Sequence, residues 1–347
     1  MSEFAGMSAA APVLVTGATG YVASWIVNDL LRDGYTVHAA VRDPENTAKV
    51  AHLQKLAEQH PGTLRLFQAD LLAPGSYREA MAGCEVVMHT ASPFTSKISD
   101  PQKDLVDPAL EGTRNVLASV NETPSVRRVV LTSSIAAMFT EAAELPDGLL
   151  TPDRWNGSAT LDYQPYYLSK RLAEQEAWRI AGEQERWDLV TIHPSLVIGP
   201  ALSAHPTSES FGIVKELGSG KLRFGAPQLA LSLVDVRDVA AAHLAAAQRP
   251  QAHGRYIVSG SDSDLLGIGL ALQAKYGDDY PLPRGPLPAW LFNLLAPLAG
   301  VERRFARGNV GKRLVCDTSR SREELGLTYR STARALEEMF PQALDFN

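Results

Sequence analysis

Residues 13–23 read VLVTGATGYVA, in which a short β-branched run leads directly into glycines and then into a segment of helical period. Gly17 permits a tight turn after the run, Gly20 lets backbone N–H groups approach an anion, and Ala23 is small enough for close packing of the helix. The dipole and the free amides of the first helical turn favour a phosphate there. An isolated glycine-rich turn is about as often a simple turn as a binding site. At the end of the first strand of a βαβ series, however, it predicts a dinucleotide site.

The sequence around this turn alternates short apolar runs with longer segments of helical period as far as residue 197. This alternation is typical of repeated βαβ units, and runs that are apolar at successive positions fit strands covered on both faces. The sequence therefore predicts an α/β fold with a Rossmann-type doubly wound parallel sheet. Six runs and a later seventh supply its strands: residues 13–15, 36–41, 64–68, 86–88, 128–132, 189–193 and 254–259.

The regular pattern fades after Gly199, where prolines and glycines punctuate the chain before another strand–helix pair at residues 231–248. We expect the later part of the chain to contribute a smaller, mostly helical C-terminal substrate lobe that closes over the strand ends. The predicted division is a nucleotide-binding domain of residues 12–200 with 230–260, and a substrate-binding lobe of residues 201–229 with 261–347.

Composition indicates an ordinary globular protein. The 347 residues suggest about two lobes at roughly 150 residues each. Hydrophobic residues make up 45% and charged residues 21%, which excludes a disordered chain or a fibre. The net charge of −6 comes without a basic block, so nucleic acid is not expected as a partner.

The cysteines and the apolar segments indicate the cellular compartment and whether the chain binds a metal or spans a membrane. Cys84 and Cys316 are too few for a disulfide framework or a four-ligand zinc site, so we expect no metal and a reducing, cytoplasmic compartment. Residues 1–11 lack the features of a secretory signal and are expected to form a flexible leader. The apolar segment 287–301 contains two prolines and is too short to span a membrane, so it is interpreted as a buried or pocket-lining helix.

The end of the second predicted strand reads VRDP, with a lysine further along. An acid at this place usually bonds the ribose 2′-hydroxyl of NAD, whereas an arginine accommodates a 2′-phosphate. Arg42 can hold phosphate through its planar fork, and Lys49 can add a point charge. Asp43 leaves ribose binding open, so the pattern favours NADPH over NADH without excluding the latter.

Tyr166 and Lys170 stand four residues apart at the start of a long helical segment, so their side chains share one face. A phenol with a pKa near 10 handles protons poorly at neutral pH until a nearby cation lowers that pKa, and Lys170 is the predicted cation. The pair Ser133-Ser134 closes a strand at the edge where ligands bind in open α/β sheets. One of these serines is expected to bond a substrate carbonyl and the other to cap the next helix.

Together these motifs resemble the extended short-chain dehydrogenases/reductases, nearest to the branch of dihydroflavonol reductases, cinnamoyl-CoA reductases and yeast methylglyoxal/aldehyde reductases. The resemblance runs from Val13 to about Met339. It rests on seven motifs in the same order: VTGATGYVASW at 15–25, VRDPEN at 41–46, ADL at 69–71, HTASP at 89–93, LTSS at 131–134, YYLSK at 166–170 and HPSLVIGP at 193–200.

The resemblance implies the roles of individual residues. Ser134 would polarise the carbonyl, Tyr166 would donate the proton, and Lys170 would bond the nicotinamide ribose while lowering the tyrosine pKa. Arg42 and Lys49 match the family's 2′-phosphate clamp, and either Ser208 or Ser210 would touch the cofactor. The other implied cofactor contacts are Gly17, Thr19, Gly20, Tyr21, Val22, Asp70, Leu71, Thr90, Ala91, Ser92, Pro194, Leu196 and Val197.

Two departures from the named relatives bear on the substrate. Phe139 stands where the plant dihydroflavonol reductases carry an asparagine, and QPYYL at 164–168 lacks the signature of the cinnamoyl-CoA reductases. Neither a flavonoid nor a CoA thioester is therefore expected. Some of the aromatic residues Phe94, Phe139, Phe211 and those at 290–292 would line an apolar pocket for a neutral aldehyde or ketone, with Phe94 and Phe139 the leading candidates.

The sequence thus predicts an NADPH-dependent carbonyl reductase, reversible as an alcohol dehydrogenase, that acts as a monomer or homodimer on a small molecule. The alternatives are an NAD-dependent epimerase, dehydratase or hydroxysteroid dehydrogenase, and a non-catalytic NADP(H)-sensing protein. Asn115 could belong to a proton relay, but a structural amide is the favoured interpretation. His89 and His193 are expected to pack and not to titrate.

Overall fold

The computed structural model describes residues 4–93, 98–204, 206, 208–277 and 279–345. In this part of the chain the strands are β1 (Val13–Thr16), β2 (Thr36–Val41), β3 (Thr63–Gln68), β4 (Val86–His89), β5 (Arg128–Thr132), β6 (Leu149–Leu150), β7 (Asp188–Pro194), β8 (Leu196–Ile198), β9 (Ala230–Asp235), β10 (Gly254–Val258), β11 (Ser261–Asp264) and β12 (Val315–Cys316).

The α-helices of the same residues alternate with these strands in the first two thirds of the chain and dominate the rest. They are α1 (Tyr21–Arg32), α2 (Thr47–Gln59), α3 (Arg78–Met81), α4 (Asp107–Glu122), α5 (Pro165–Gly182), α6 (Glu209–Gly218), α7 (Val236–Gln248), α8 (Leu265–Tyr276), α9 (Ala289–Leu295), α10 (Arg303–Asn309), α11 (Ser319–Glu323) and α12 (Thr332–Leu344).

Seven strands form one parallel sheet in the order β10-β7-β5-β4-β1-β2-β3. The predicted doubly wound fold is therefore confirmed. Thr16 at the end of β1 pairs with His89 at the end of β4, so the loops after these two strands begin side by side. The order of the strands reverses between β1 and β4, and in such sheets this point is where ligands bind.

Apolar clusters cover both faces of the sheet, as expected for strands whose successive side chains point to opposite sides. Val13 and Val15 belong to the cluster that contains Leu30 of α1 and Ala246 of α7. Leu14 belongs to the opposite cluster, which contains Val116 of α4 and Ala177 of α5. The helix α5, which carries the candidate reacting residues, is thus anchored on one face of the sheet.

The strand predicted near residue 231 lies outside the main sheet. It is β9, which pairs parallel with β8 and antiparallel with β11 in a separate three-stranded sheet. Beside that sheet, α6, α8 and α12 share an apolar cluster with Phe211, Leu272 and Phe340 at its centre. Local periodicity predicted the strand correctly but not its partners, because pairing is a long-range property.

Two other expectations differ from the structure. Residues 4–11 do not form a free leader, because the Phe4 ring lies 4.3 Å from the Arg128 guanidinium and Met7 packs against the core. Segment 287–301 is buried only in part: Phe292 of α9 packs with α10, whereas Trp290 is 70% exposed. No helix in the described residues is long and apolar enough to cross a membrane.

Arg128 is the largest fully buried side chain among the described residues and clamps the lower end of the sheet. Its guanidinium makes two 2.7 Å bonds to the Asp188 carboxylate and donates to the carbonyls of Ala246 and Arg249 at 2.8 and 2.6 Å. It therefore joins β5, the start of β7 and the end of α7.

We expect Arg128→Met to lower the free energy of unfolding by about 3 kcal/mol, because it leaves the carbonyls and the carboxylate without their donor. Urea unfolding followed by circular dichroism measures the change. Lys221→Met, which removes the exposed ion pair between Lys221 and Glu216, is the control and should cost less than about 1 kcal/mol. Equal losses in the two variants would contradict the clamp.

Candidate active site

The turn after β1 is shaped to receive a group close to the backbone. Gly17 has a φ of 62°, and a Cβ at this position would stand 3.0 Å from the Cα of Ala91. Gly20 is extended at the start of α1, and no side chain caps the first amides of that helix. Because free amides and the helix dipole favour an anion, this turn fits the pyrophosphate of a dinucleotide.

The side chains that follow the turn face the protein. The Tyr21 hydroxyl donates to the carbonyl of Gly199 at 2.6 Å, and Val22 packs between two apolar clusters. A contact of either residue with a phosphate would therefore come from its backbone N–H. Thr19, in the middle of the turn, is half-buried.

Thr16 joins the ends of β1 and β4. Its hydroxyl oxygen accepts from the backbone N–H groups of Thr90 and Ala91 at 3.1 and 3.0 Å and lies 3.0 Å from Nδ1 of His89. Burial, with the nearby charge of Lys170, lowers the pKa of His89 to about 4, so this imidazole is neutral. The chain after β4 is thereby held against the glycine turn, and His89 packs, as expected.

Two cations without an ion pair in the described residues stand past the end of β2. Arg42 is exposed, and its backbone carbonyl accepts from the Gln68 amide at 3.3 Å. Lys49 is exposed in the first turn of α2, which the Asn46 side chain caps. Asp43 is occupied locally, since its carboxylate accepts from the backbone N–H of Glu45 at 3.1 Å. This donor set fits a 2′-phosphate.

The loop after β3 is held from α4. The carbonyl of Leu71 accepts from the Asn115 side-chain amide at 3.0 Å, and the Leu71 side chain packs directly on Gly112. Asp70 accepts from the backbone N–H of Leu72 at 2.8 Å. Asn115 is thus a structural amide that positions the segment expected to border the adenine.

Ser134, Tyr166 and Lys170 come together above the carboxyl ends of β4 and β5. Helix α5 begins directly after Gln164, whose φ of 53° is unusual for a residue other than glycine. One turn along, Lys170 Nζ donates to the Ser92 hydroxyl at 2.9 Å and lies 5.6 Å from the centre of the Tyr166 ring. The Ser134 hydroxyl accepts from the backbone N–H of Ala136 at 3.1 Å. It lies near enough to the Tyr166 side chain to lower the pKa of that phenol.

Burial and nearby charges act on the pKa of Tyr166. Burial raises the pKa of Tyr166 above its usual value, the charges of Glu209 and Tyr167 add to the rise, and the Ser134 hydroxyl is the group that lowers it. Burial reduces the pKa of Lys170 to about 8, and its nitrogen stands over the Tyr166 ring at 5.6 Å, so the lowering of the tyrosine pKa by this lysine stays a prediction. The raised pKa makes Tyr166 a neutral phenol at neutral pH. The residue as a whole keeps 42% of its surface open to solvent.

Glu174 was not anticipated, although it lies four residues beyond Lys170 on the same face of α5. Its carboxylate is 1% exposed and accepts from the Ser133 hydroxyl at 2.7 Å and from His193 Nε2 at 2.8 Å. Ser133 is thus engaged with this acid, and His193 packs, as expected. A signal was present in the sequence, because His193 and Arg255 interrupt otherwise apolar parallel strands.

The residues predicted to contact the nicotinamide differ in how deeply they are buried. Pro194 ends β7 and is buried opposite Val258, whereas Leu196 and Val197 are half-buried in β8. The Ser208 and Ser210 hydroxyls bond each other at 2.9 Å at the start of α6.

The aromatic residues predicted as candidates for the substrate pocket lie in different surroundings. Phe94 lies outside the described residues. Phe139 is 6% exposed and packs as a core residue with Met138 and Leu145, so its place in a pocket wall stays a prediction. Phe211 is fully buried against Tyr21, with the ring centres 5.3 Å apart.

Tyr167 and Phe305 form an aromatic pair next to Tyr166 that the sequence did not reveal. Their ring centres lie 6.2 Å apart, and Tyr167 also stands edge-on to Tyr166 at 6.0 Å. The pair joins α10 to the start of α5, beside the Tyr166 phenol.

Comparisons with known proteins agree with this architecture. The model of the NAD dependent epimerase/dehydratase family matches residues 13–259. Cinnamoyl-CoA reductase CAD2 of Medicago truncatula is 43% identical over 281 residues, which cover 78% of this chain and 85% of that protein. Tetraketide alpha-pyrone reductase 1 of Arabidopsis thaliana is 37% identical over 338 residues, which cover 96% and 94%. The structure of Gre2 from Candida albicans in complex with NADPH has a TM-score of 0.76 at 27% identity and covers 96% of this chain and 99% of that one.

The lowered pKa of Lys170 predicts unusual reactivity toward amine reagents. At pH 8 about half of a group with a pKa of about 8 is neutral amine, against under about 1% for an ordinary lysine. With trace acetic anhydride, the acetylation rate of Lys170 should level off above about pH 9, as measured by peptide mass spectrometry. The exposed Lys55 on α2 is the comparison, and the same pH dependence at both positions would contradict the lowered pKa.

Proposed function

Because this chain belongs to the NAD dependent epimerase/dehydratase family, we propose that it is an oxidoreductase that uses NADPH to reduce an aldehyde or ketone to an alcohol, with the reverse oxidation as its counterpart. The observation that carries the proposal is the meeting of Ser134, Tyr166 and Lys170 beside the glycine turn at the reversal of strand order. Reductases recur among the relatives, and one structural neighbour was solved with NADPH.

The residues of the crevice fit such a cofactor. The turn at Gly17 and Gly20 would hold the pyrophosphate through backbone N–H groups, and Arg42 with Lys49 would hold the 2′-phosphate. Lys170, beside Ser92, would bond the nicotinamide ribose. When bound, the cofactor supplies the hydride, which is its own chemistry.

The protein's part in the reaction is to orient the carbonyl and to supply a proton. The Ser134 hydroxyl would donate a hydrogen bond to the carbonyl oxygen, and the neutral Tyr166 phenol would give that oxygen its proton. Positioned proton transfer of this kind contributes about 10²–10⁴-fold in rate. The raised pKa of Tyr166 suits this direction, because it keeps the acid loaded at neutral pH.

The surroundings of the phenol favour a neutral, apolar or aromatic substrate. The rings of Tyr167 and Phe305 offer an apolar surface beside Tyr166. The charge of Glu209 acts on the same phenol and would oppose an anionic substrate.

The activity itself is tested by incubating the protein with NADPH and a panel of neutral aldehydes and ketones while the cofactor absorbance is followed. Tyr166→Phe should lower kcat at least about 100-fold, because it removes the proton donor, and should leave the Kd for NADPH within about twofold. Tyr35→Phe, far from the crevice, is the control. Full activity of Tyr166→Phe would remove the tyrosine from the mechanism, and release of tightly held NAD⁺ from an inactive wild type would favour the epimerase alternative.

Arg42→Ala should raise the KM for NADPH about tenfold or more and change that for NADH little. A charge-assisted hydrogen bond to the extra phosphate is worth about 1.5–3 kcal/mol, and 1.4 kcal/mol corresponds to a factor of ten. Initial rates with the two cofactors give both constants, with Arg65→Ala on the neighbouring strand as the control. An equal rise with both cofactors would show that Arg42 does not contact that phosphate.

A further inference from the structure

The buried carboxylate of Glu174 gathers donors from several elements. Oε2 accepts from the Ser133 hydroxyl at 2.7 Å and from His193 Nε2 at 2.8 Å, while Oε1 accepts from Arg255 Nε at 2.7 Å. A fourth donor, Trp178 Nε1, lies 3.3 Å from Oε1 on the same helix. The carboxylate therefore ties α5 to the end of β5, to β7 and to β10.

The Glu174 carboxylate at this junction is charged, and each of its oxygens has hydrogen-bond donors. Burial would raise the pKa of Glu174, but His193 and Arg255 outweigh burial and lower it to about 2, so the group is an anion throughout the working pH range. Arg255 is itself fixed, since it donates to the carbonyls of Pro152 and Arg154 at 2.6 and 2.7 Å. Hydrogen bonds to an ionised acceptor are stronger than neutral ones, so Ser133 is firmly held.

The position of Ser133 makes that bond relevant to the chemistry. It immediately precedes Ser134, which is extended with a φ of −161°, and successive side chains of an extended chain point to opposite sides. Ser133 therefore reaches down to Glu174 while Ser134 reaches the Tyr166 phenol. The Ser133 backbone N–H donates to the carbonyl of Ile192 on β7 at 2.8 Å, and the Ser133 hydroxyl supplies its hydrogen bond to α5.

We propose that Glu174 is a positioning residue for carbonyl reduction, which through the Ser133 hydroxyl holds Ser134 in register with Tyr166 and Lys170. Tyr166 and Lys170 lie on the same helix as Glu174. Ser134 directly follows Ser133, which donates to Glu174. The Glu174 carboxylate would therefore fix the relative positions of all three side chains. The inference rests on the proposed function.

Ser133→Ala tests the link with a minimal change, since it removes one hydroxyl and leaves the ion pairs of Glu174 intact. We expect kcat, expressed per NADPH-binding site, to fall about tenfold while the Kd for NADPH stays within twofold. The solvent deuterium isotope effect on kcat should rise, because a displaced Ser134 makes proton transfer slower. A mere loss of folded protein would lower the number of binding sites without changing this isotope effect.

Two further variants separate positioning from stability. Ser321→Ala removes an equally buried hydroxyl that bonds Thr318 and Tyr329 in the C-terminal part, and it should destabilise the protein with no change in kcat or isotope effect. Ser133→Thr retains the hydroxyl and should restore kcat to within about threefold of wild type. Ser133 borders a cavity of about 30 Å³ together with Lys170 and Glu174.

Wild-type kcat and isotope effect in Ser133→Ala, alongside an inactive Tyr166→Phe, would overturn the positioning role and leave the reductase standing. If the wild type reduces no carbonyl, the proposed function fails, and crystal structures of wild type and Ser133→Ala decide the inference alone. A Ser134 hydroxyl displaced from the Tyr166 phenol in the variant would support it, and an unchanged Ser134 would overturn it.

Discussion

The crevice of this protein exists because the strand order of one parallel sheet reverses between β1 and β4. Connections from these neighbouring strands run in opposite directions, so the backbone beyond their carboxyl ends is left open. Thr16 fixes the geometry of that opening by binding the amides of Thr90 and Ala91. The glycine at position 17 then lies close enough to Ala91 that no other residue fits without strain. Every proposed contact with a nucleotide starts from this edge.

Much of this arrangement was predictable because its causes are local. The run at residues 36–41 matches β2 to the residue, since β-branched and apolar side chains on both faces define a covered parallel strand. Tyr166 and Lys170 share a helical face by spacing alone, and the end of β5 carries the serine pair to the same edge. The fold and the meeting of the three side chains proposed to react therefore follow from periodicity together with the rule for parallel sheets.

The rest depends on partners distant in the chain. The strand at residues 230–235 was predicted without partners, and only tertiary structure decides that β8 and β11 flank it. Phe139 looked suited to a pocket wall, whereas an apolar ring is stabilised equally by a core, and Met138 and Leu145 surround it. The pKa of Tyr166 depends on burial and on the direction of the Ser134 hydroxyl, neither of which spacing reveals. Glu174 required four elements to be placed before its role was visible.

The small apolar cluster of Phe292, Ala296, Ala306 and Val310 holds α9 and α10 together apart from the main cores. Through Phe305 this pair of helices reaches Tyr167, next to the reacting phenol, whereas the phenol itself rides on a helix anchored by a charged junction. Replacements within the cluster would reshape the neighbourhood of the substrate with little effect on the proton-donating edge. Under the proposed function, substrate preference can therefore change through this cluster with little effect on the side chains proposed to react.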